Sequence, residues 1–404
     1  MENKDINICV VGCGPAGKSC AVELARYGFS VDVYEKNKVG GTCLNYGCTY
    51  INGLREMGDI INNLKLLKND DSIKLNDIIS FEDLQKRVSE IQNKIRSVLE
   101  REVNNAGVNL IYKEFNEDIK KDYDYIVYSN GKVYNNSYEG IYCLIHKDIV
   151  NLKELPEKIL IIGGGTVAAE YASLFSNFGS EVVVYVRSKF LKMIKDGDIR
   201  NYIEKISNFK VINDKDKLKE LLNDETYTKI LAIGGKGRYN TDDYLRVIEY
   251  NEVVKNTFAC GDCAIGKGGT TPISRMEGRV VAKNIYNLVN GKSLIKPNYE
   301  YIPNSIRMDL NISYIGEQTP YFKTVPNSVG RGTFFRVSNG IGINKIYYNN
   351  ERFEKVVGSI SMSPSLEIMP YFAQFLKGID VYKNFIEIHP STDPFYKVLR
   401  KGGF

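Results

Sequence analysis

Tryptophan is absent from the 404-residue chain, and histidine occurs only twice, at His146 and His389. The first absence excludes no chemistry. The second excludes a histidine-rich metal site, which needs several imidazoles. Net charge is also scarce: 54 basic against 49 acidic residues leave +5, too small and too dispersed an excess for a nucleic-acid-binding surface. No apolar run approaches the ~18 residues of a membrane span. The longest, Ile159 to Phe175, is interrupted by Gly163, Gly164, Gly165 and Glu170. The chain opens Met-Glu-Asn-Lys-Asp and passes into a buried-type strand, without the apolar stretch of a secretory signal. A soluble, cytoplasmic protein that binds neither nucleic acid nor membrane is therefore expected. With 43% hydrophobic and 25% charged residues the composition is globular. At ~100–200 residues per domain, the length suggests two to four domains.

Cysteine is not scarce: there are eight. Without an export signal they do not read as a secreted disulfide framework. Cys9, Cys13 and Cys20 fall in a strand–turn–helix and read as small buried hydrophobes. Cys143 is isolated, and the C-x-x-C of Cys260 and Cys263 surrounds a Gly-Asp pair and reads as structural. Cys43 and Cys48 form C-x4-C in a glycine-bearing segment. Four intervening residues can close as a turn of helix and bring the sulfurs within disulfide range. A thiolate near a helix N-terminus is an effective nucleophile. No metal site is expected.

Two nucleotide-binding patterns frame that segment. Asn7–Val11 is an apolar strand ending in Gly12-Cys13-Gly14-Pro15-Ala16-Gly17. A helical pattern follows to Tyr27, then an alternating strand, Ser30–Tyr34, that closes on Glu35 and Lys36. This is the dinucleotide fingerprint in its required context, with glycines for the turn and an acid for the ribose. The pattern repeats as strand Lys158–Ile162, the turn Gly163-Gly164-Gly165-Thr166-Val167-Ala168, a helix to Phe178 and strand Glu181–Val186. The second strand ends in Val186-Arg187 rather than an acid. Arg187, with Lys189 and Lys192 nearby, suits an adenosine 2′-phosphate.

Between the fingerprints lie an amphipathic helix, Phe81–Ala106, and a short strand, Asp124–Tyr128. Beyond them the pattern predicts strands Lys229–Ile233 and Thr257–Cys260 and a helix Thr271–Val289. Further strands are expected around Ile312–Ile315, Gly332–Val337 and Lys355–Ser361, with a helix at Leu366–Leu376. The expected fold is α/β, with two Rossmann-like domains and a C-terminal α+β domain. Its parts are 1–150 (first dinucleotide part), 151–240 (second nucleotide domain, shortened), 241–298 (return to the first) and 299–404.

Gly40-Gly41-Thr42-Cys43-Leu44-Asn45-Tyr46-Gly47-Cys48 resembles the redox motif of the pyridine nucleotide–disulfide oxidoreductases. The resemblance extends in order along nearly the whole chain. It implies an FAD site at Gly12, Gly14, Pro15, Ala16, Gly17, Glu35 and Lys36, continued at Gly41 and Thr42. Gly261, Asp262 and Thr271 would form the second FAD segment. Gly163, Gly165, Thr166, Val167, Glu170, Arg187 and Gly234 would serve the nicotinamide nucleotide, NADPH by the Arg187 argument, with NADH as the alternative. Cys43 and Cys48 would be the redox disulfide, Cys43 meeting substrate. Ile388-His389-Pro390-Ser391 resembles the family's His-Pro-Thr, whose histidine serves the partner subunit's disulfide in a homodimer.

The implied activity passes electrons between nicotinamide, flavin, the Cys43–Cys48 disulfide and a dithiol or disulfide substrate. A dihydrolipoamide dehydrogenase-like enzyme, acting on a lipoyl-bearing protein, is the first expectation. NADPH-dependent reduction of a small-thiol disulfide is the alternative. A degenerate paralogue serving as a flavin-binding or redox-sensing protein is the alternative of another class. Four departures accompany the resemblance. Thr49-Tyr50-Ile51-Asn52 offers no cation where the family has a lysine, and Tyr128-Ser129-Asn130-Gly131 replaces its Ala-Thr-Gly-Ser turn. The nucleotide domain is short. Pro394 stands where an acid should orient His389, leaving Asp393 as the local substitute.

Overall fold

A computed structural model describes residues 5–300, 302–325 and 343–362. His389, Asp393 and the elements expected at Gly332–Val337 and Leu366–Leu376 lie outside the described residues. The chain divides into two compact units, one of residues 1–50, 87–135 and 234–299, the other of 51–86, 136–233 and 300–404. Among the described residues no helix is long and apolar enough to cross a membrane.

The first unit is built on a seven-stranded sheet. Its order is Asn240–Thr241, Arg246–Glu249, Glu252–Ala259, Tyr125–Tyr128, Asn7–Val11, Ser30–Tyr34, Asn109–Ile111. The last five strands run parallel and the first two form an antiparallel edge. Asn7–Val11 is a run of β-branched and apolar residues, buried from Ile8 onward, the pattern of a central strand covered on both faces. Chain order reverses beside it: the next two strands go to one side, Tyr125–Tyr128 and Glu252–Ala259 to the other. Such a switch point is where open α/β sheets bind their ligands.

One face carries helices Pro15–Arg26 and Thr271–Val289, packed through Ala16, Cys20, Leu24, Val281 and Ile285. Close approach leaves no room for a side chain at two points, one between these helices and one between the first helix and its own glycine turn. A Cβ on Gly278 would run into the Ala16 carbonyl oxygen, and one on Gly17 into that of Gly12. Gly278→Ala gains about 1 kcal/mol of helix propensity but overpacks against backbone at a cost of about 1–3 kcal/mol. A lower urea midpoint is expected. An unchanged midpoint would mean that the overpacking costs no more than the propensity gains.

The second unit holds a four-stranded parallel sheet in the order Tyr227–Leu231, Lys158–Ile162, Glu181–Tyr185, Lys210–Ile212. Tyr227–Leu231 starts and ends two residues before the predicted Lys229–Ile233. Its pairing stops at Leu231 opposite Ile162, where Gly163 turns the neighbouring strand away. The same unit contains a five-stranded antiparallel sheet, ordered Asn304–Ile306, Ile312–Gly316, Val356–Met362, Asn344–Tyr348, Phe322–Val325. A buried ion pair joins the two sheets: Lys345 Nζ lies 2.9 Å from Asp196 and 2.6 Å from Asp198, on the loop and helix that follow Glu181–Tyr185.

Candidate active site

The first glycine turn is shaped by what surrounds it. Gly12 has φ of +98°, and its N–H donates to the Tyr34 carbonyl at 2.7 Å. Gly14 is the N-cap of the Pro15–Arg26 helix, with Pro15 inside the first turn. Proline there costs nothing, because its missing N–H would have had no intrahelical partner. Glu35, at the end of Ser30–Tyr34, is buried and accepts the N–H groups of Cys13 (2.8 Å) and Asn37 (2.9 Å). Each carboxylate oxygen keeps a lone pair for a ribose hydroxyl. Lys36 sits outward, paired with Glu114 at 2.8 Å. Ser129 was not among the candidate residues. Its hydroxyl donates toward the Val11 and Gly12 carbonyls at 2.9 and 3.0 Å, tying the Ser129-Asn130 turn to the glycine loop.

The cysteine segment lies directly on that turn. The Gly40 N–H donates to the Cys13 carbonyl at 2.9 Å, and a Cβ on Gly41 would fall 2.8 Å from the Gly14 Cα. Gly40 and Gly41 both have positive φ, +103° and +59°. Instead of one helical turn spanning both cysteines, two helices meet here. Cys43 is in the short helix Gly41–Asn45, and Cys48 is the first residue of the 21-residue helix Cys48–Lys68. The break at Tyr46-Gly47 follows from Tyr46, whose φ of −139° is not helical. Placing Cys48 first on a long helix points the positive end of the helix dipole at its sulfur, which favours a thiolate.

Three further side chains hold this segment. Buried Asn45 donates to the Gly41 carbonyl at 2.9 Å, and its Oδ1 accepts from Arg96 at 2.7 Å. Gln92 donates to the Leu44 carbonyl at 2.6 Å. Asn45 had a signal, a polar residue inside the motif. Gln92 and Arg96, on the Phe81–Asn105 helix, had none.

The second segment comes to the same sheet end. Gly261 follows strand Glu252–Ala259 by two residues, and a Cβ there would lie 2.8 Å from the Ala16 Cβ. Asp262 accepts the Gly269 N–H at 2.7 Å and lies 3.5 Å from Lys132 Nζ. Thr271 is buried at the start of its helix, and Gly234 has φ of +82°.

In the second unit, the Gly163 N–H donates to the Tyr185 carbonyl at 3.0 Å, and Gly165 is the N-cap of Thr166–Phe178. The space a Gly165 Cβ would enter is open, whereas a Cβ on Gly164 would lie 2.8 Å from Val186 Cγ1. Val186 is buried and Arg187 exposed. Val167 is 48% exposed. The Glu170 carboxylate accepts the Arg307 N–H at 3.0 Å, and its carbonyl accepts from Arg55 at 2.7 Å. Arg55 also reaches Ser173 at 3.3 Å. The helix that begins at Cys48 thus carries a cation at Arg55, beyond Thr49–Asn52, and its bonds go to Glu170 and Ser173. Burial pushes the Arg55 guanidinium below its ordinary value.

Cys43 and Cys48 are the two partly exposed cysteines; the other six are buried. Burial pushes the Cys13 and Cys263 thiols up to about 12, and Cys9, Cys20 and Cys260 also upward. Those groups stay protonated and inert. Cys263 instead donates to the Tyr128 carbonyl at 3.1 Å, a structural contact. His146 is partly buried, and desolvation pushes it down to about 4. Among the described residues no group of three or more His, Cys, Asp or Glu could hold a metal.

A parallel sheet with a fingerprint turn, a C-x4-C segment docked on that turn, and a second glycine-turn nucleotide unit define a flavoprotein disulfide oxidoreductase. The family model for pyridine nucleotide-disulphide oxidoreductase matches residues 6–213, and the chain belongs to that family. Over 99% of both chains it is 60% identical to the uncharacterized protein MJ0636 of Methanocaldococcus jannaschii. It is 24% identical to dihydrolipoyl dehydrogenase of Bacillus subtilis, over 96% of both. Among solved structures, the HOCl-induced flavoprotein disulfide reductase RclA of Escherichia coli superposes with a TM-score of 0.70 over 98% of both chains, and its Cu(II) complex with 0.72. At 19% identity that likeness is one of fold. The chain is an oxidoreductase of an FAD-dependent family. Its residues fit that cofactor: the Gly14 N-cap leaves the first helix N–H groups for phosphate, and Glu35 suits a ribose.

Proposed function

We propose that the chain is an FAD-dependent, NADPH-linked disulfide oxidoreductase whose working pair is Cys43 and Cys48. The observation that carries this reading is the placement of the two partly exposed cysteines, one in the short helix whose Gly40-Gly41 start docks on the fingerprint turn and the other heading a long helix. Bound FAD would supply the exchange between two-electron hydride chemistry and thiol chemistry. Gly12–Gly17, Glu35 and Asp262 would hold it, and Gly163–Thr166 the nicotinamide nucleotide.

In the reduced pair, the Cys43 thiolate attacks one sulfur of the substrate disulfide. A mixed disulfide forms, and the other substrate sulfur leaves as a thiol once protonated. Cys48 then attacks the Cys43 sulfur, releasing the second substrate thiol and closing the Cys43–Cys48 bond. Two electrons and two protons have passed to substrate. His389 is the residue proposed to move the proton at the leaving sulfur, its ordinary pKa suiting the task. We place it in a homodimer, each His389 serving the partner's pair. Mixed dimers of the inactive variants His389→Ala and Cys43→Ser should regain one working site of two; verified heterodimers without activity would rule this out.

The nicotinamide choice rests on Val186 and Arg187. Val186 fills the place beside Gly164 where an acid would accept a ribose 2′-hydroxyl, while exposed Arg187 is available to a 2′-phosphate. Arg187→Ala should lower kcat/KM for NADPH about 10-fold or more, the scale of a charge-assisted hydrogen bond, and leave NADH nearly unchanged. Equal efficiency with both nucleotides would refute this.

NADPH favours the reducing direction, and so a small-thiol disulfide as substrate. Dihydrolipoamide oxidation, the same path reversed, is the second reading, favoured by the likeness to dihydrolipoyl dehydrogenases over almost the whole chain. Steady-state assays with lipoamide, dihydrolipoamide and low-molecular-weight disulfides separate the two. A purified protein that takes up no FAD would exclude both and favour a binding or sensing role.

A further inference from the structure

Glu277 has no part in the chemistry described so far, yet it is a carboxylate with no exposed surface at all. Burying a charge costs free energy that only good donors offset. Glu277 has three. One oxygen accepts the Gly261 N–H at 2.6 Å, and the other accepts the Gly268 N–H at 2.8 Å and the Tyr299 hydroxyl at 2.9 Å. All three donors are uncharged, so no ion pair explains its retention.

The two backbone donors are the ends of one loop. Gly261 immediately precedes Asp262, and Gly268 immediately precedes Gly269, whose N–H is held by Asp262. Two carboxylates therefore cross-link the loop in parallel: Glu277 joins position 261 to 268, and Asp262 joins 262 to 269. The loop is folded so tightly that a Cβ on Gly268 would meet both Asp262 Oδ1 and the Asp262 nitrogen within 2.7 Å. Glu277 itself stands on the Thr271–Val289 helix, beside Gly278, the point where that helix touches the fingerprint helix. Its position is thus set by the same packing that sets the first glycine turn.

We infer that Glu277 is a positioning residue of the flavin site, holding Asp262 and the Gly261–Gly269 loop in register with the Gly12–Gly17 turn. The inference rests on the FAD reading above. A glutamine cannot substitute, because its amide carries one acceptor and one NH2 group. Either the Gly261 or the Gly268 N–H would then face a donor, and that end of the loop would be released.

The test is FAD binding to apo-protein, followed by flavin fluorescence, with the visible circular dichroism of the saturated form as a second readout. Glu277→Gln should weaken FAD binding about 10-fold or more, the loss expected when a hydrogen bond to a charged group is broken, and should change the flavin dichroism. Asn284→Ala is the structural control. Asn284 lies on the same helix, fully buried, and bonds the Tyr244 and Ile295 carbonyls, away from the loop; its loss should lower stability and leave FAD affinity unchanged. Gly268→Ala, which displaces the loop with Glu277 intact, should weaken FAD binding as Glu277→Gln does, and decides the matter if the latter fails to fold. Wild-type affinity in Glu277→Gln or in Gly268→Ala would overturn the inference, as would equal FAD loss in Asn284→Ala. Wild-type protein that binds no FAD would instead overturn the FAD reading itself.

Discussion

Cys43→Ser and Cys48→Ser are each expected to lower disulfide turnover on the order of 10⁴-fold or more, the scale on which enzymes lose rate when a covalent participant is removed. FAD binding should survive in both. Serine keeps the shape of the turn docked on Gly14, and the bonds from Asn45, Gln92 and the Gly40 N–H do not involve sulfur. The two variants should also differ. With Cys48 lost, Cys43 can still form a mixed disulfide that nothing resolves, so one substrate thiol should be released per chain and the other retained. With Cys43 lost, no mixed disulfide should form at that position. Mass spectrometry of the protein after reaction with a disulfide separates these states. Near-normal turnover in either variant would end the assignment, and the six buried cysteines, held as thiols, offer no replacement pair.

Lys345→Met should cost about 3–5 kcal/mol of stability, the range for breaking a buried ion pair from one side. Lys345 and Asp196 have side chains only 2% and 6% exposed, so solvent does little to screen them. Removing the ammonium leaves the Asp196 carboxylate with the Ile199 N–H and the Tyr347 hydroxyl alone. Asp198 is the internal comparison. Its side chain is 67% exposed, and Asp198→Asn should cost no more than about 1 kcal/mol. Urea unfolding of the variants measures both, and equal small losses would show that the pair is solvated.

The same pair predicts a pH dependence. Burial pushes the Asp196 carboxyl up, but the bonds from Lys345, the Ile199 N–H and Tyr347 outweigh it and hold the group below the usual carboxylate range. A carboxyl lowered in the folded state stabilises fully above its unfolded value, about 3.9. The contribution then fades as pH falls through the folded value. Acid should therefore narrow the gap between wild type and Lys345→Met from about pH 4 downward.

Much of this protein is legible in its sequence, and the legible parts share one property. The strands Asn7–Val11, Ser30–Tyr34 and Lys158–Ile162 and the helix Thr271–Val289 have the bounds their patterns predict. Both glycine turns sit where strand meets helix. In each, composition within a dozen residues decides the conformation: β-branched runs favour strands, and a glycine at positive φ permits the turn. C-x4-C was legible for the same reason, although the break at Tyr46-Gly47 was not, since neighbouring backbone rather than spacing sets it.

What remained hidden were side chains whose meaning depends on a distant partner. Arg96 holds Asn45 across 51 residues, Arg55 reaches Glu170 across 115, and Lys345 reaches Asp196 across 149. In sequence each is an ordinary polar residue on an amphipathic helix or strand, and solvent exposure is its default reading. Only packing desolvates them, and desolvation makes an unpaired polar group costly enough that its partner must be specific. Local chemistry thus determined which cofactor turns and which thiols this chain carries. The tertiary structure decided which thiols are accessible and which buried charges hold the segments that present them, because accessibility and desolvation exist only once distant elements have closed over one another.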